Sequence, residues 1–192
     1  MKKIVMYCLI GVLLSIGLLS KFYLIGPGEI MTWTNEQHKI DYIPRLEGEN
    51  LLGDLLSFPK DLAAPLTLIV IGFKREHQID IDTWIQTYQE KSLADQSVDF
   101  FELPIIYEVG MVKRLFINNG MKMGIPDPEQ LKRTVTIYMK RQNLFDALKM
   151  KEDNIYSLLV TQKGKILWRS EGAASAQKID TLESAIKSYA PQ

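Results

Sequence analysis

The sequence predicts an α/β domain, a central mixed sheet flanked by helices, behind an apolar N-terminal segment. Three observations carry this. Leu66 to Phe73 reads LTLIVIGF, a continuous apolar run rich in β-branched residues, as in a strand buried on both faces. Ile81, Trp84, Ile85 and Tyr88 then recur at i, i+3, i+4 and i+7, one face of a helix. Near the C-terminus, Ile155 to Thr161 and Lys165 to Arg169 flank Gln162-Lys163-Gly164, the pattern of a β-hairpin.

The N-terminal segment starts with Met1-Lys2-Lys3 and is uncharged from Ile4 to Leu19. After Ser20-Lys21 it is apolar again through Phe22-Tyr23-Leu24-Ile25. From Ile4 to Ile25, as a helix of about 33 Å, it is long enough to cross a bilayer core. Lys21 suits snorkelling, and Phe22 and Tyr23 suit the membrane interface. Residues 1–25 are therefore expected to be a transmembrane anchor, with Lys2 and Lys3 inside and the domain on the exported side, the periplasm or its equivalent. The alternative is a signal segment, cleaved to release a secreted domain, but the small residues needed at −3 and −1 of a cut are poorly supplied. Gly26-Pro27-Gly28 breaks the helix, so 26–40 reads as a tether and 41–192 as the domain.

Within the domain, Tyr42 to Gly48 is expected to be extended with a turn. Pro65 stands just before the first central strand, where proline is tolerated. Asp80 or Asp82 is the expected cap of the helix through Trp84, and Ser97 to Leu103 the second strand. Val109, Val112 and Phe116, with Met111 and Leu115 beside them, mark a helix ending at Asn118-Asn119-Gly120. In Asp127-Pro128-Glu129-Gln130, Asp127 suits the N-cap and Pro128 the first helical position, with Gln130 completing a capping box. That helix is expected to reach about Arg141 with Leu131, Val135 and Tyr138 inward, which makes 108–150 a helical insert. Gly164 is expected at positive φ, and Ile179, Leu182, Ile186 and Tyr189 give a final amphipathic helix.

This order, a parallel βαβ unit closed by an antiparallel hairpin and a terminal helix, resembles the thioredoxin-like plan. In that fold the reactive cysteine follows the first central strand, where the next helix's N-terminus stabilises a thiolate. Here the corresponding stretch is Lys74-Arg75-Glu76-His77-Gln78-Ile79-Asp80, and the chain's single cysteine is Cys8, in the leader. The proline that precedes the hairpin strand in redox-active members is replaced by Asp153-Asn154-Ile155. The resemblance therefore implies a domain without thiol redox activity, catalytic residues or cofactor. His77 reads as an exposed polar loop residue. The alternative is a thioredoxin-like enzyme or copper carrier using non-cysteine residues, through His77 and the thioethers of Met111, Met121 and Met123.

Lys plus Arg (23) balances Asp plus Glu (23), which argues against a nucleic-acid binder. The distribution is uneven: residues 41–108 carry 13 acids and 5 bases, and 113–151 carry 9 bases and 3 acids. Lys113, Arg114, Lys132, Arg133, Lys140 and Arg141 belong to this basic stretch, which suits anionic lipid headgroups or an acidic partner.

The segment from Asn154 to Ala174 resembles mitochondrial ATP synthase assembly factors that chaperone the membrane-embedded proton-channel subunit. Gly164, Ile166, Trp168, Gly172 and Ala174 fit that family's hairpin, although Arg169 follows the tryptophan instead of preceding it. Ile71-Gly72-Phe73, Trp84 and Ile125-Pro126 resemble its upstream segments. The resemblance implies a non-enzymatic role in assembling a membrane protein complex. Trp84, Trp168 and Arg169, with the basic stretch, are the candidate contacts for a protein partner such as a subunit of that complex.

Overall fold

In a computed structural model, the structure describes residues 41–189. The expected membrane or signal segment and its tether lie outside the described residues. Among the described residues, no helix is long and apolar enough to cross a membrane.

Strands β1 (Leu46–Asn50) and β2 (Leu55–Phe58) form an antiparallel hairpin. The central strand β3 (Leu66–Gly72) is buried along its whole length, as its unbroken apolar run predicts. A 3-10 turn at Arg75–His77 leads into α1 (Gln78–Glu90). Strand β4 (Val98–Tyr107) lies parallel to β3, with Leu68 opposite Phe100 and Val70 opposite Glu102. Then come α2 (Met111–Gly124), α3 (Pro128–Arg133), β5 (Val135–Met139), α4 (Arg141–Leu148), the hairpin β6 (Tyr156–Thr161) and β7 (Ile166–Glu171), and α5 (Ala176–Ser188). The strands make one mixed sheet in the order β2-β1-β5-β4-β3-β6-β7.

Strand alternation divides the core between the two faces of this sheet. Ile69 and Ile71 of β3, Leu103 and Ile105 of β4, and Ile137 of β5 point to one face, packing with Leu144 and Leu148 of α4. Leu68 and Val70 point to the other and meet Ile81 and Trp84 of α1 and Leu182 and Ile186 of α5. Gly164 turns the β6–β7 hairpin at φ +78°, as expected. Gly48 is required by close approach: a Cβ there would stand 2.6 Å from the Thr136 carbonyl oxygen across the β1–β5 pair.

Four expectations are corrected. The helix starting at Pro128 is capped by the Asp127 carboxylate as expected, which accepts from the Glu129 amide at 3.0 Å. It stops at Arg133, however, not near Arg141. Val135-Thr136-Ile137-Tyr138 is a β-favouring run, and the slot between β1 and β4 gives it backbone partners on both edges. Its Leu131–Val135–Tyr138 spacing mimics a helical face only by coincidence. A strand of the main sheet therefore lies inside the stretch read as a helical insert. Helix α2 runs past Gly120 to Gly124, because Asn118-Asn119-Gly120 is a weak but tolerated interior. Helix α1 begins at Gln78, so Asp80 and Asp82 lie inside it, with Asp82 accepting from the Gln78 side-chain amide at 2.9 Å. Finally, His77 is buried, not an exposed loop residue.

Candidate functional site

Two features stand out: the corner after β3, where thioredoxin-like enzymes hold their thiol, and the outer surface of α2.

The corner is closed by its own side chains. His77 Nδ1 accepts the Phe73 amide hydrogen at 3.2 Å, which folds Phe73–His77 into a tight turn. That bond fixes the neutral tautomer with its proton on Nε2. Burial, then the nearby Lys74 charge, lowers the His77 pKa below the ordinary histidine value, so the ring stays neutral at physiological pH. Arg141, at the start of α4, is buried. Its guanidinium donates to the Phe73 carbonyl at 2.6 Å and to Glu152 Oε1 at 2.7 Å, and lies 4.0 Å from the centre of the Tyr107 ring. Tyr107 in turn donates to Glu152 Oε2 at 3.3 Å. On the outer side Lys74 pairs with Asp153, tying the loop after β3 to the loop before β6. This bond raises the lysine pKa and lowers that of the aspartate. The groups that would activate a nucleophile elsewhere are here consumed by a structural clamp.

Nor does this corner suit a soft metal ion. Its side chains are the cations Lys74, Arg75 and Arg141, the carboxylates of Glu76, Glu152 and Asp153, and an imidazole whose Nδ1 is already occupied, whereas Cu(I) favours thiolate and thioether donors. Among the described residues, no group of three or more His, Cys, Asp or Glu is placed to hold a metal ion.

The candidate contact residues divide sharply. Trp84 is fully buried; its indole N–H donates to the Gly172 carbonyl at 3.0 Å and its ring meets Trp168 edge-on, with centroids 5.6 Å apart. Trp168 is half-buried and donates to Thr181 Oγ1 at 3.0 Å. Arg169 is held against the Leu148 and Lys149 carbonyls and over the Tyr156 ring. Arg114 stacks on Tyr138 at 4.7 Å, and Arg133 binds Asp99 at 3.1 Å and the Tyr88 hydroxyl at 2.9 Å. Arg114, Arg133 and Arg141 thus make contacts within the domain, while Lys113, Lys132 and Lys140 are exposed. Sequence periodicity cannot make this division, because arginine on a surface helix and arginine in a clamp look alike until the fold brings their partners together.

Helix α2 is inverted relative to an ordinary surface helix. It turns Arg114, Ile117, Asn118 and Met121 partly toward the domain, and Asn118 accepts from the Tyr138 hydroxyl at 2.8 Å. Outward it presents Met111, Val112, Leu115, Phe116 and Met123, with exposures of 77%, 81%, 57%, 82% and 85%. None of its residues is buried. Between α2 and the β1–β2 hairpin runs an open groove of about 1050 Å³, lined by Leu55, Met111, Arg114, Leu115 and Tyr138 among others.

One group escaped the sequence reading altogether. Glu102 points from the middle of β4 into the layer between the sheet and α1 and is buried, with Thr134 Oγ1 donating to it at 3.4 Å. Burial, reinforced by the charge of Asp82, raises its pKa to about 7. The only signal available was an acid placed between the apolar Phe101 and Leu103 of a strand.

Comparison with solved structures agrees with this topology. The crystal structure of yeast Sco1 matches with a TM-score of 0.53 at 15% identity, over 79% of this chain and 98% of that one. The pneumococcal exposed lipoprotein thioredoxin Etrx1 from Streptococcus pneumoniae matches with a TM-score of 0.52 at 11% identity, over 76% of this chain and all of that one. The domain has a thioredoxin-like fold. Yeast Sco1 has also been solved with copper bound, and that form matches with a TM-score of 0.51 at 15% identity, over 80% of this chain and 97% of that one. At these identities the likeness concerns the fold alone. No protein-family model matches the chain, and no curated protein matches its sequence.

Proposed function

We propose that this protein is a membrane-tethered, redox-inactive thioredoxin-like protein that works by binding, as an assembly factor for a membrane protein complex. The observation that carries this reading is the clamp at the corner after β3. Where a thioredoxin-like enzyme needs an accessible thiolate, this chain has no cysteine. The corner is instead filled by a buried neutral histidine and a buried arginine bonded to Phe73 and Glu152. A thiolate cannot be replaced there by imidazole or guanidinium in disulfide exchange, because the reaction passes through a mixed disulfide. The apolar outer side of α2, with exposed Lys113, Lys132 and Lys140 in the same stretch, supports a role for the surface.

The test is paired. Full-length protein is assayed for reduction of a protein disulfide and for copper retained after purification, and crosslinked in its native membranes. The reading expects no turnover above background, no stoichiometric copper, and a discrete crosslinked membrane-protein partner. Turnover abolished by His77→Ala, or one copper per chain, would overturn it, as would membranes that yield no partner.

A further inference from the structure

From the outward face of α2 we infer a second, lipid-binding site: α2 is an interfacial helix that lies flat on an anionic bilayer surface. This inference does not depend on the assembly role proposed above. At 100° per residue, Met111, Leu115, Val112, Met123 and Phe116 occupy an arc of about 140°. All five are exposed, and the side of the helix toward the domain carries Arg114 and Asn118 with Ile117 and Met121. Val112, Phe116 and Met123 are thus turned away from the described core, while Met111 and Leu115 border the groove beside the β1–β2 hairpin. Such an arrangement is stable when the medium outside is itself apolar just below a charged surface, which describes the headgroup–acyl boundary.

Charge selects the bilayer over another occupant. From Met111 to Pro126 the chain holds Lys113, Arg114 and Lys122 and no acid; Glu108 and Asp127, the nearest acids along the chain, lie beyond the two ends, and the acids Glu47, Glu49 and Asp61 line the groove beside Met111 and Leu115 rather than the outer side with Val112 and Phe116. Lys122 falls within this arc, about 20° from Met111, with Asn119 near its middle, and Lys113 lies about 60° beyond Phe116; both lysines are exposed, and their stems can lie along acyl chains while the ammonium groups reach phosphates. A second copy docking through the same face would bring these cations together.

The experiment uses full-length chain carrying Cys8→Ser, with one cysteine introduced as Phe116→Cys and labelled with an environment-sensitive fluorophore. Phe116 is exposed, so the change leaves the core intact. Glu90→Cys, at the exposed end of α1, is the control. The protein is reconstituted into phosphatidylcholine vesicles with or without phosphatidylglycerol, containing lipids with a quencher on the acyl chain. The expected result is a blue shift and acyl-chain quenching at position 116, strong in anionic vesicles and weak in neutral ones, with position 90 unaffected in both. Each lysine near an anionic surface contributes roughly fivefold to partitioning, so Lys113→Glu combined with Lys122→Glu lowers the docked population at least about tenfold. A label at 116 that stays in water in both vesicles overturns the inference. So does burial of that label in lipid-free detergent as protein concentration rises, which would assign the face to a second copy. Burial that appears only when membrane proteins are added would assign it to a protein partner and overturn the inference equally.

Discussion

Replacing Glu102 by glutamine should stabilise the domain at alkaline pH and leave it nearly unchanged in mild acid. The carboxyl group is buried between the sheet and α1, with a long hydrogen bond from Thr134 and Asp82 adding repulsion. Its folded pKa is about 7, against 4.5 for the free group. Between those values the folded state keeps a proton that the unfolded state has released, so stability falls as pH rises. At about 1.4 kcal/mol per pH unit, the accumulated loss is on the order of 3 kcal/mol above pH 7, where both states are ionised and the curve flattens. Glutamine has the same shape and never pays for a buried charge. Denaturant titrations of the domain, residues 41–192, at a series of pH values from 4.5 to 8.5, give the difference between wild type and Glu102→Gln directly. Other titrating groups cancel in that difference. The expected result is a gap near zero at the acid end that opens to about 2–3 kcal/mol at the alkaline end. Parallel curves would refute the reasoning, because a carboxylate that ionises freely in the folded state cannot be the strained group described here.

Three further outcomes follow from the clamp and the core. His77, neutral with a lowered pKa, contributes stability that is complete above the unfolded value of 6.5 and is lost as pH falls from there toward the folded value. His77→Asn, which keeps an acceptor for the Phe73 amide, should lessen this acid-side loss in the same titrations. Arg141→Lys should cost about 1.5–3 kcal/mol in urea unfolding, since one ammonium group cannot serve the Phe73 carbonyl and Glu152 together while stacking on Tyr107. Trp84→Phe should cost about 1–3 kcal/mol by the same measurement, because the Gly172 carbonyl loses its partner and the larger ring leaves a void against Trp168.

Most of the fold was legible because its strongest signals are local. The LTLIVIGF run, the i, i+3, i+4, i+7 face through Trp84, the Asp127-Pro128 cap and Gly164 each specify their own element from a few residues. Strand β5 was not legible: Val135 to Met139 has strand propensity, yet only the open slot between β1 and β4, supplied by distant segments, decides against continuing the helix. The same limit applies to the candidate site. That the corner holds no thiol can be read directly from the chain, in which Cys8 is the sole cysteine. That His77 is buried, and that Arg141 reaches Phe73 across 68 residues, depends on the parallel β3, β4 and β5 placing the ends of β3 and β5 at the same end of the sheet.

The apolar periodicity around Val112 and Phe116 shows the contrast most clearly. By itself the sequence determined that these residues form a helix with one apolar side, since backbone geometry turns their spacing into a face. It also determined, by composition alone, that the domain carries no thiol. Which way that face points was decided only by the tertiary structure. Orientation depends on what the neighbouring elements offer, and here Tyr138 offers a hydroxyl and a ring that Asn118 and Arg114 satisfy better than methionine or phenylalanine would.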